Sequence, residues 1–107
     1  MLYKFKSKAA GDLIMLEPNG RRVLEIIGKD PAPTGIILPQ EMPAAVGALE
    51  QAITQEEARQ KAAVEEAEAK GEPPPSFEAI GLRQRALPFM DMLRRCERAG
   101  REIVWGV

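Results

Sequence analysis

The stretch TQEEARQKAAVEEAEAKGE, at positions 54–72, is the part of this chain that most constrains its fold. It favours helix strongly, yet Val64 is the only sizeable apolar side chain that it could bury. The residues before it predict one apolar helix face at Met42, Val46, Leu49 and Ile53. A continuous helix from Pro43 to Lys70 would be roughly 40 Å long, more than the diameter of a compact chain whose radius of gyration is about 13 Å. The helix must therefore protrude, fold back or pack on another subunit.

The length of 107 residues predicts a single domain that spans positions 1–107. Within it we interpret 54–72 as a charged helical arm and the proline-rich segment 72–81 as a stiff linker. The other segments show strand and helix patterns in turn. Together they predict an α+β fold: a small, mostly antiparallel sheet, made of an N-terminal hairpin and a C-terminal strand, covered by about three helices.

Three short segments predict the strands of this sheet. MLYKFKS alternates with a period of two and places Tyr3 and Phe5 on one face, while LIML at 13–16 gives a second strand after a turn at KAAGD. The closing REIVWGV is β-prone and has the hairpin as its natural neighbour. Trp105 would then be a core or an interface aromatic residue. A further short extended segment is predicted at Ile36, Ile37 and Leu38.

Two more helices are predicted on either side of the long one. The first runs from about Gly20 to Ile27, with Asn19 as its N-cap and Gly28 as the left-handed residue that ends it. The last covers Leu82–Ala99. Pro88 falls inside this last segment, where it either kinks the helix or marks its true start.

Residues that could carry catalysis are scarce. The chain has no histidine and one cysteine, which removes the commonest general base and leaves no cysteine pair for zinc or a disulfide. We therefore predict a protein that is not an enzyme, with no catalytic residues, no metal and no cofactor. The alternative is a thiol sensor or nucleophile at Cys96. However, Cys96 shares an apolar helix stripe with Phe89 and Leu93, which is typical of a small buried residue.

Charge is unevenly distributed along the chain, although the net charge is −1. From Glu50 to Glu78 there are eight acidic and three basic residues, a net charge of −5, which leaves +4 on the rest. Four arginines of the last predicted helix could bind an anion: Arg83, Arg94, Arg95 and Arg98. Alternatively, these arginines interact with the helix dipole and with Asp91. The isoelectric point near 5.6 argues against nucleic acid as a partner.

The acidic charge and the length of the arm favour contact with another protein. It could bind an unknown protein partner, or it could dock onto the arginines of a second copy to give a symmetric dimer. The candidate interface residues are Glu57, Val64, Glu65 and Trp105. The carboxylates of Glu65, Glu66 and Glu68 diverge around a helix, so they do not converge as metal ligands.

The N-terminal segment does not read as a targeting signal. No apolar stretch of about 7–15 residues follows the basic MLYKFKSK. No stretch approaches the ~18 consecutive apolar residues of a membrane helix. Together with the single cysteine, these features predict a cytoplasmic protein with no membrane contact.

Six segments form a pattern over nearly the whole chain outside the arm and the linker: MLYKFKSKA, GDLIML, NGRRVLEIIG, GIILPQEMPAAVGALE, LRQRALPFMDMLRRC and IVWGV. This pattern resembles domain-of-unknown-function family 1840, a short bacterial family found mainly in proteobacteria. The resemblance implies a bacterial cytoplasmic protein and supplies no functional residues. From the residues themselves we expect a non-enzymatic protein-interaction module capable of self-association. Nucleic-acid or small-anion binding through the last helix is the alternative.

Overall fold

The computed structural model describes residues 2–77 and 80–106. Its strands are β1 (Leu2–Ser7), β2 (Ala10–Leu16), β3 (Gly35–Ile37) and β4 (Ile103–Trp105). Its helices are α1 (Glu17–Ile26), α2 (Met42–Ala69) and α3 (Leu82–Ala99). A 3-10 turn at Pro39–Glu41 leads directly into α2. Parts of the predicted linker and of the two terminal strands, at positions 1, 78, 79 and 107, lie outside the described residues.

The four strands form one antiparallel sheet in the order β2-β1-β4-β3. β4 lies between β1 and β3, with Trp105 opposite Phe5 on one side and opposite Gly35 on the other. The C-terminal strand therefore completes the sheet beside the N-terminal hairpin, as the sequence predicts. The predicted α+β fold is confirmed, and the extended segment around Ile36 supplies a fourth strand.

The hairpin differs from its prediction at the turn. β2 begins at Ala10 rather than at Leu13, so the turn is confined to Lys8 and Ala9, the first two residues of the predicted KAAGD turn. Between the pairs Phe5–Leu13 and Ser7–Ala10, β2 contributes two residues and β1 contributes one, which is a β-bulge. Gly11 is one of the two bulged residues. A glycine within a strand can mark such a bulge instead of a turn, and the sequence alone does not separate the two cases.

Helix α1 begins earlier than predicted. It starts at Glu17 rather than at Gly20, and Pro18 lies in its first turn, where no N–H is needed for a helical hydrogen bond. No side chain caps this end, so the predicted N-cap role of Asn19 is wrong. Gly28 follows the helix with a φ of +83°, which confirms the predicted left-handed residue.

Helix α3 continues through its internal proline. It begins at Leu82 as predicted, so Pro88 does not mark its start. A proline here leaves the Gln84 carbonyl without its helical N–H partner. Pro88 is exposed, so water can supply that hydrogen bond.

The helices pack against one face of the sheet and enclose the hydrophobic core. Phe5 lies within it, with its ring centroid 4.8 Å from that of Phe89 on α3 and 6.0 Å from that of Trp105 on β4. Trp105 is only 2% exposed, and its Nε1 donates a hydrogen bond of 2.9 Å to the Ala32 carbonyl. A Cβ at Gly35 would overlap the Trp105 ring, so this glycine allows β3 to approach β4. Trp105 is thus a core residue, the first of its two predicted roles.

Only the first part of α2 belongs to this core. Its buried residues run from Met42 to Ile53, and Glu56 and Glu57 still pair with α1 and α3. The molecule measures 53 × 28 × 21 Å with a radius of gyration of 16.1 Å, against about 13 Å for a compact chain of this length. Of the three arrangements predicted for the long helix, the structure shows protrusion. We call residues 58–69 the distal arm.

Candidate protein-interaction surface

The sheet face opposite the helices carries large apolar side chains that are exposed to solvent. Side chains alternate between the two faces of a strand, so the neighbours of the core residues Tyr3 and Phe5 point away from the core. Four large apolar side chains on this side are 43–62% exposed: Leu2, Ile14, Leu16 and Ile36. Together with Lys4, Lys6 and Val104, they form what we call the open face.

The strand register arranges the open face in three rows. The rows are Leu2 with Leu16, Lys4 with Ile14, and Lys6 with Val104 and Ile36. Directly opposed side chains on a sheet lie about 5 Å apart. The open face therefore has apolar side chains on all four strands and two lysines on the inner strand β1.

The two lysines of the open face have different surroundings. The Lys4 Nζ lies 3.5 Å from a carboxylate oxygen of Asp12, in an exposed ion pair. Lys6 is half-buried beside Val104 and makes no ion pair with any residue that the structure describes. The stem of a half-buried lysine can pack on apolar neighbours while its ammonium reaches water, so Lys6 keeps a positive charge available to an anionic group from outside this chain.

Two of the predicted anion-binding arginines, Arg83 and Arg94, line a groove between α2 and α3. Arg83 donates two hydrogen bonds of 2.8 Å to the Glu57 carboxylate and thereby holds the pKa of Glu57 below its usual range. The Arg94 guanidinium lies 3.8 Å from the carboxylates of both Glu50 and Asp91. Acidic side chains of the same chain therefore already provide the counter-charges in this groove.

The other two predicted arginines lie elsewhere on α3. Arg95 lines a separate cleft of about 280 Å³ between β2 and α3, together with Asp12 and Asp91. Arg98 is exposed in the last turn, where a positive charge interacts favourably with the helix dipole. The structure thus does not bring the four arginines into one cleft.

The remaining candidate residues are distributed between the surface and the core. Glu57 is held by Arg83, Val64 is half-buried, and Glu65 is exposed on the distal arm. Cys96 is fully buried and unpaired. In the part of the chain that the structure describes, no group of three or more acidic or cysteine side chains could hold a metal ion, and no helix is long and apolar enough to cross a membrane.

Glu56 is a structural anchor that the sequence analysis treated only as part of the arm. Its carboxylate accepts hydrogen bonds of 2.8 Å from Arg22 on α1 and 3.0 Å from the Leu82 N–H at the start of α3. These two donors hold the pKa of Glu56 below its usual range, with the larger effect from Arg22. The sequence does contain a signal for this role. Glu56 lies three residues after Ile53, and this spacing places its side chain on the buried side of α2.

These features define a small α+β protein with a sheet covered on one face and a protruding helical arm. No curated protein and no solved structure matches the chain. Over residues 1–105 the chain matches the family described as Domain of unknown function (DUF1840), and it belongs to that family. The predicted resemblance is therefore confirmed, and the family description assigns no activity.

Proposed function

We propose that this protein is a non-enzymatic protein-interaction module of the bacterial cytoplasm and that the open face is its contact surface. The proposal is carried by the one-sided coverage of the sheet. An antiparallel sheet that faces water normally presents polar side chains there, whereas this one presents large apolar side chains that are 43–62% exposed. Contiguous exposed apolar patches of this kind are typical of interaction sites.

The charge arrangement of α3 favours the open face over the arginines as the contact surface. Arg83 and Arg94 have acidic partners within this chain, whereas Lys6 on the open face has none among the described residues. The cytoplasmic part of the proposal is supported by the lone cysteine, because proteins of oxidising compartments commonly carry paired cysteines.

Changing Ile14→Glu and Ile36→Glu together should abolish binding of the partner protein. Both side chains are exposed, so the double variant should keep its fold, while burying two carboxylates in place of apolar side chains would make a contact on the open face unfavourable. Tagged full-length chain would be captured from its native cells, in the presence of a second copy with a different tag. Bound protein, including the second copy, would be quantified.

Leu87→Glu is the matched control, because Leu87 is 42% exposed, close to the 43% of Ile36, but lies on α3. We expect this control to retain whatever the wild-type chain retains. Equal recovery by the double variant would contradict the proposal. So would a wild-type chain that binds neither another protein nor a second copy.

A further inference from the structure

We infer that the partner of the open face is the end of the arm of a second copy of this chain, and that two copies exchange arms in a symmetric dimer. The inference rests on the function proposed above for the open face. It adds the identity of the occupant, argued from charge, from the shape of the arm and from the surfaces that are already occupied.

The charges of the open face and of the arm are complementary. Lys4 and Lys6 lie on the inner strand β1 of the open face, and Lys8 follows them in the turn after this strand. Residues 62–72, the last eight residues of the distal arm and the three that follow, contain four glutamates and one lysine, a net charge of −3, whereas Arg59 and Lys61 bring the whole distal arm to −1. The chain therefore carries both halves of an electrostatic contact on separate surfaces.

The acidic end of the arm keeps two carboxylates available for this contact. Glu66 accepts a hydrogen bond of 2.8 Å from Lys70 and is therefore paired. Glu65 and Glu68 are exposed and make no ion pair with any described residue. They match the Lys6 ammonium, which also pairs with no described residue, and the Lys4 ammonium, whose one ion pair with a described residue is a long one of 3.5 Å.

The outer side of the distal arm carries small side chains, which suit close packing of a helix on a sheet. Ala58, Ala62 and Ala69 form one exposed stripe with Glu65 at the helical period. Alanine side chains would let the helix backbone approach the apolar residues of the open face closely. The opposite side of the helix, at Ala63, faces the linker prolines around a shallow cleft, so the outer side is the one left for a partner.

The length of the distal arm also matches the width of the sheet. Twelve helical residues, from 58 to 69, extend about 18 Å. The outer strands of a four-stranded sheet lie about 14 Å apart. One distal arm could therefore cross the whole open face of another copy.

The alternative contacts between two copies are less favourable. Arg83 and Arg94 already pair with α2 of their own chain, so the arginine groove offers the arm little free positive charge. Stacking two open faces on each other would bring four lysines, Lys4 and Lys6 of each copy, into one interface. A reciprocal exchange brings two arm-to-face contacts together, which helps to reach the roughly 800 Å² per partner of a standard stable interface.

Charge reversal on the two surfaces tests this arrangement in the full-length chain. The face variant carries Lys4→Glu and Lys6→Glu, and the arm variant carries Glu65→Lys and Glu68→Lys. By sedimentation equilibrium at low salt, we expect a wild-type dimer and a dissociation constant raised at least ~10-fold in each variant. An equal mixture of the two variants should form heterodimers, because both exchanged contacts are then complementary. Arg95→Glu with Arg98→Glu is the matched control on α3 and should leave the dimer unchanged.

Each of the following outcomes would overturn the exchanged dimer. A wild-type chain that stays monomeric would overturn the exchanged dimer. It would not contradict the proposed function, which the capture experiment tests separately. A dimer that resists both reversals would place self-association on another surface. A dimer that only the face variant weakens would support the open face but exclude the arm as its occupant. Lys6→Glu alone, which leaves the Lys4–Asp12 ion pair in place, serves as the second face variant if the double change impairs folding.

Discussion

Replacing Trp105 with alanine is expected to lower the free energy of unfolding by about 3–5 kcal/mol. The indole is 2% exposed, contacts the Phe5 ring and packs on the backbone at Gly35, so its removal leaves a cavity in the core over Gly35. The measurement is urea unfolding followed by far-UV circular dichroism, because the substitution removes the only tryptophan of the chain.

Trp105→Phe separates the hydrogen bond from the packing. This variant keeps an aromatic ring but leaves the Ala32 carbonyl without its donor, so we expect a loss of about 1–2 kcal/mol. It also remains measurable if Trp105→Ala does not fold. A loss below about 1 kcal/mol for Trp105→Ala would contradict the core assignment and return Trp105 to its other predicted role at an interface.

Glu56→Gln should lower the free energy of unfolding by about 1.5–3 kcal/mol, the second largest effect that we expect from a single substitution. The Glu56 side chain is 18% exposed and ties α1 to the start of α3 through Arg22 and the Leu82 N–H. Glutamine keeps the shape but loses the charge that strengthens both hydrogen bonds. Chemical unfolding of the two proteins at neutral pH measures the difference.

Glu57→Gln is the control for Glu56→Gln, since Glu57 is the next residue and also pairs with an arginine. Its ion pair with Arg83 is exposed to solvent, where such pairs contribute little, so we expect the free energy of unfolding to stay nearly unchanged. A loss at Glu56 as small as the one expected at Glu57 would show that Glu56 does not anchor α3.

The contribution of Glu56 should depend on pH. Because its pKa is lower in the folded chain than in the unfolded chain, the stabilisation is fully present above the ordinary glutamate pKa of about 4.3 and disappears as the pH falls through the folded value. The difference in stability between wild type and Glu56→Gln should therefore shrink below about pH 4. A difference that persists at that acidity would show that the charge of Glu56 is not its source.

Local patterns were sufficient for most of the fold. The period-two alternation at Tyr3 and Phe5 and the apolar face of α2 identified the core sides of these elements. The bulge at Gly11 was missed because a glycine before a short apolar run also fits a turn. The start of α1 was missed because Pro18 is equally compatible with ending a strand and with the first turn of a helix.

The candidate site depended on contacts that the sequence does not display. LIML is apolar at every position, which indicates side chains on both faces of β2, but only the folded chain shows that Ile14 and Leu16 on one face stay exposed. The pairing of Arg83 with Glu57 joins residues 26 positions apart. Such long-range ion pairs decide which charges stay available, and no local spacing predicts them.

Site-specific photo-crosslinking in living cells tests most directly whether the open face is a contact surface. A photoreactive phenylalanine would replace Ile14 on the open face, and in a separate strain it would replace Leu87 on α3 as the control. We expect an adduct from position 14 and none from position 87, with a mass of twice 11.8 kDa if the partner is a second copy. Adducts from position 87 alone, or no adduct from position 14, would contradict the account.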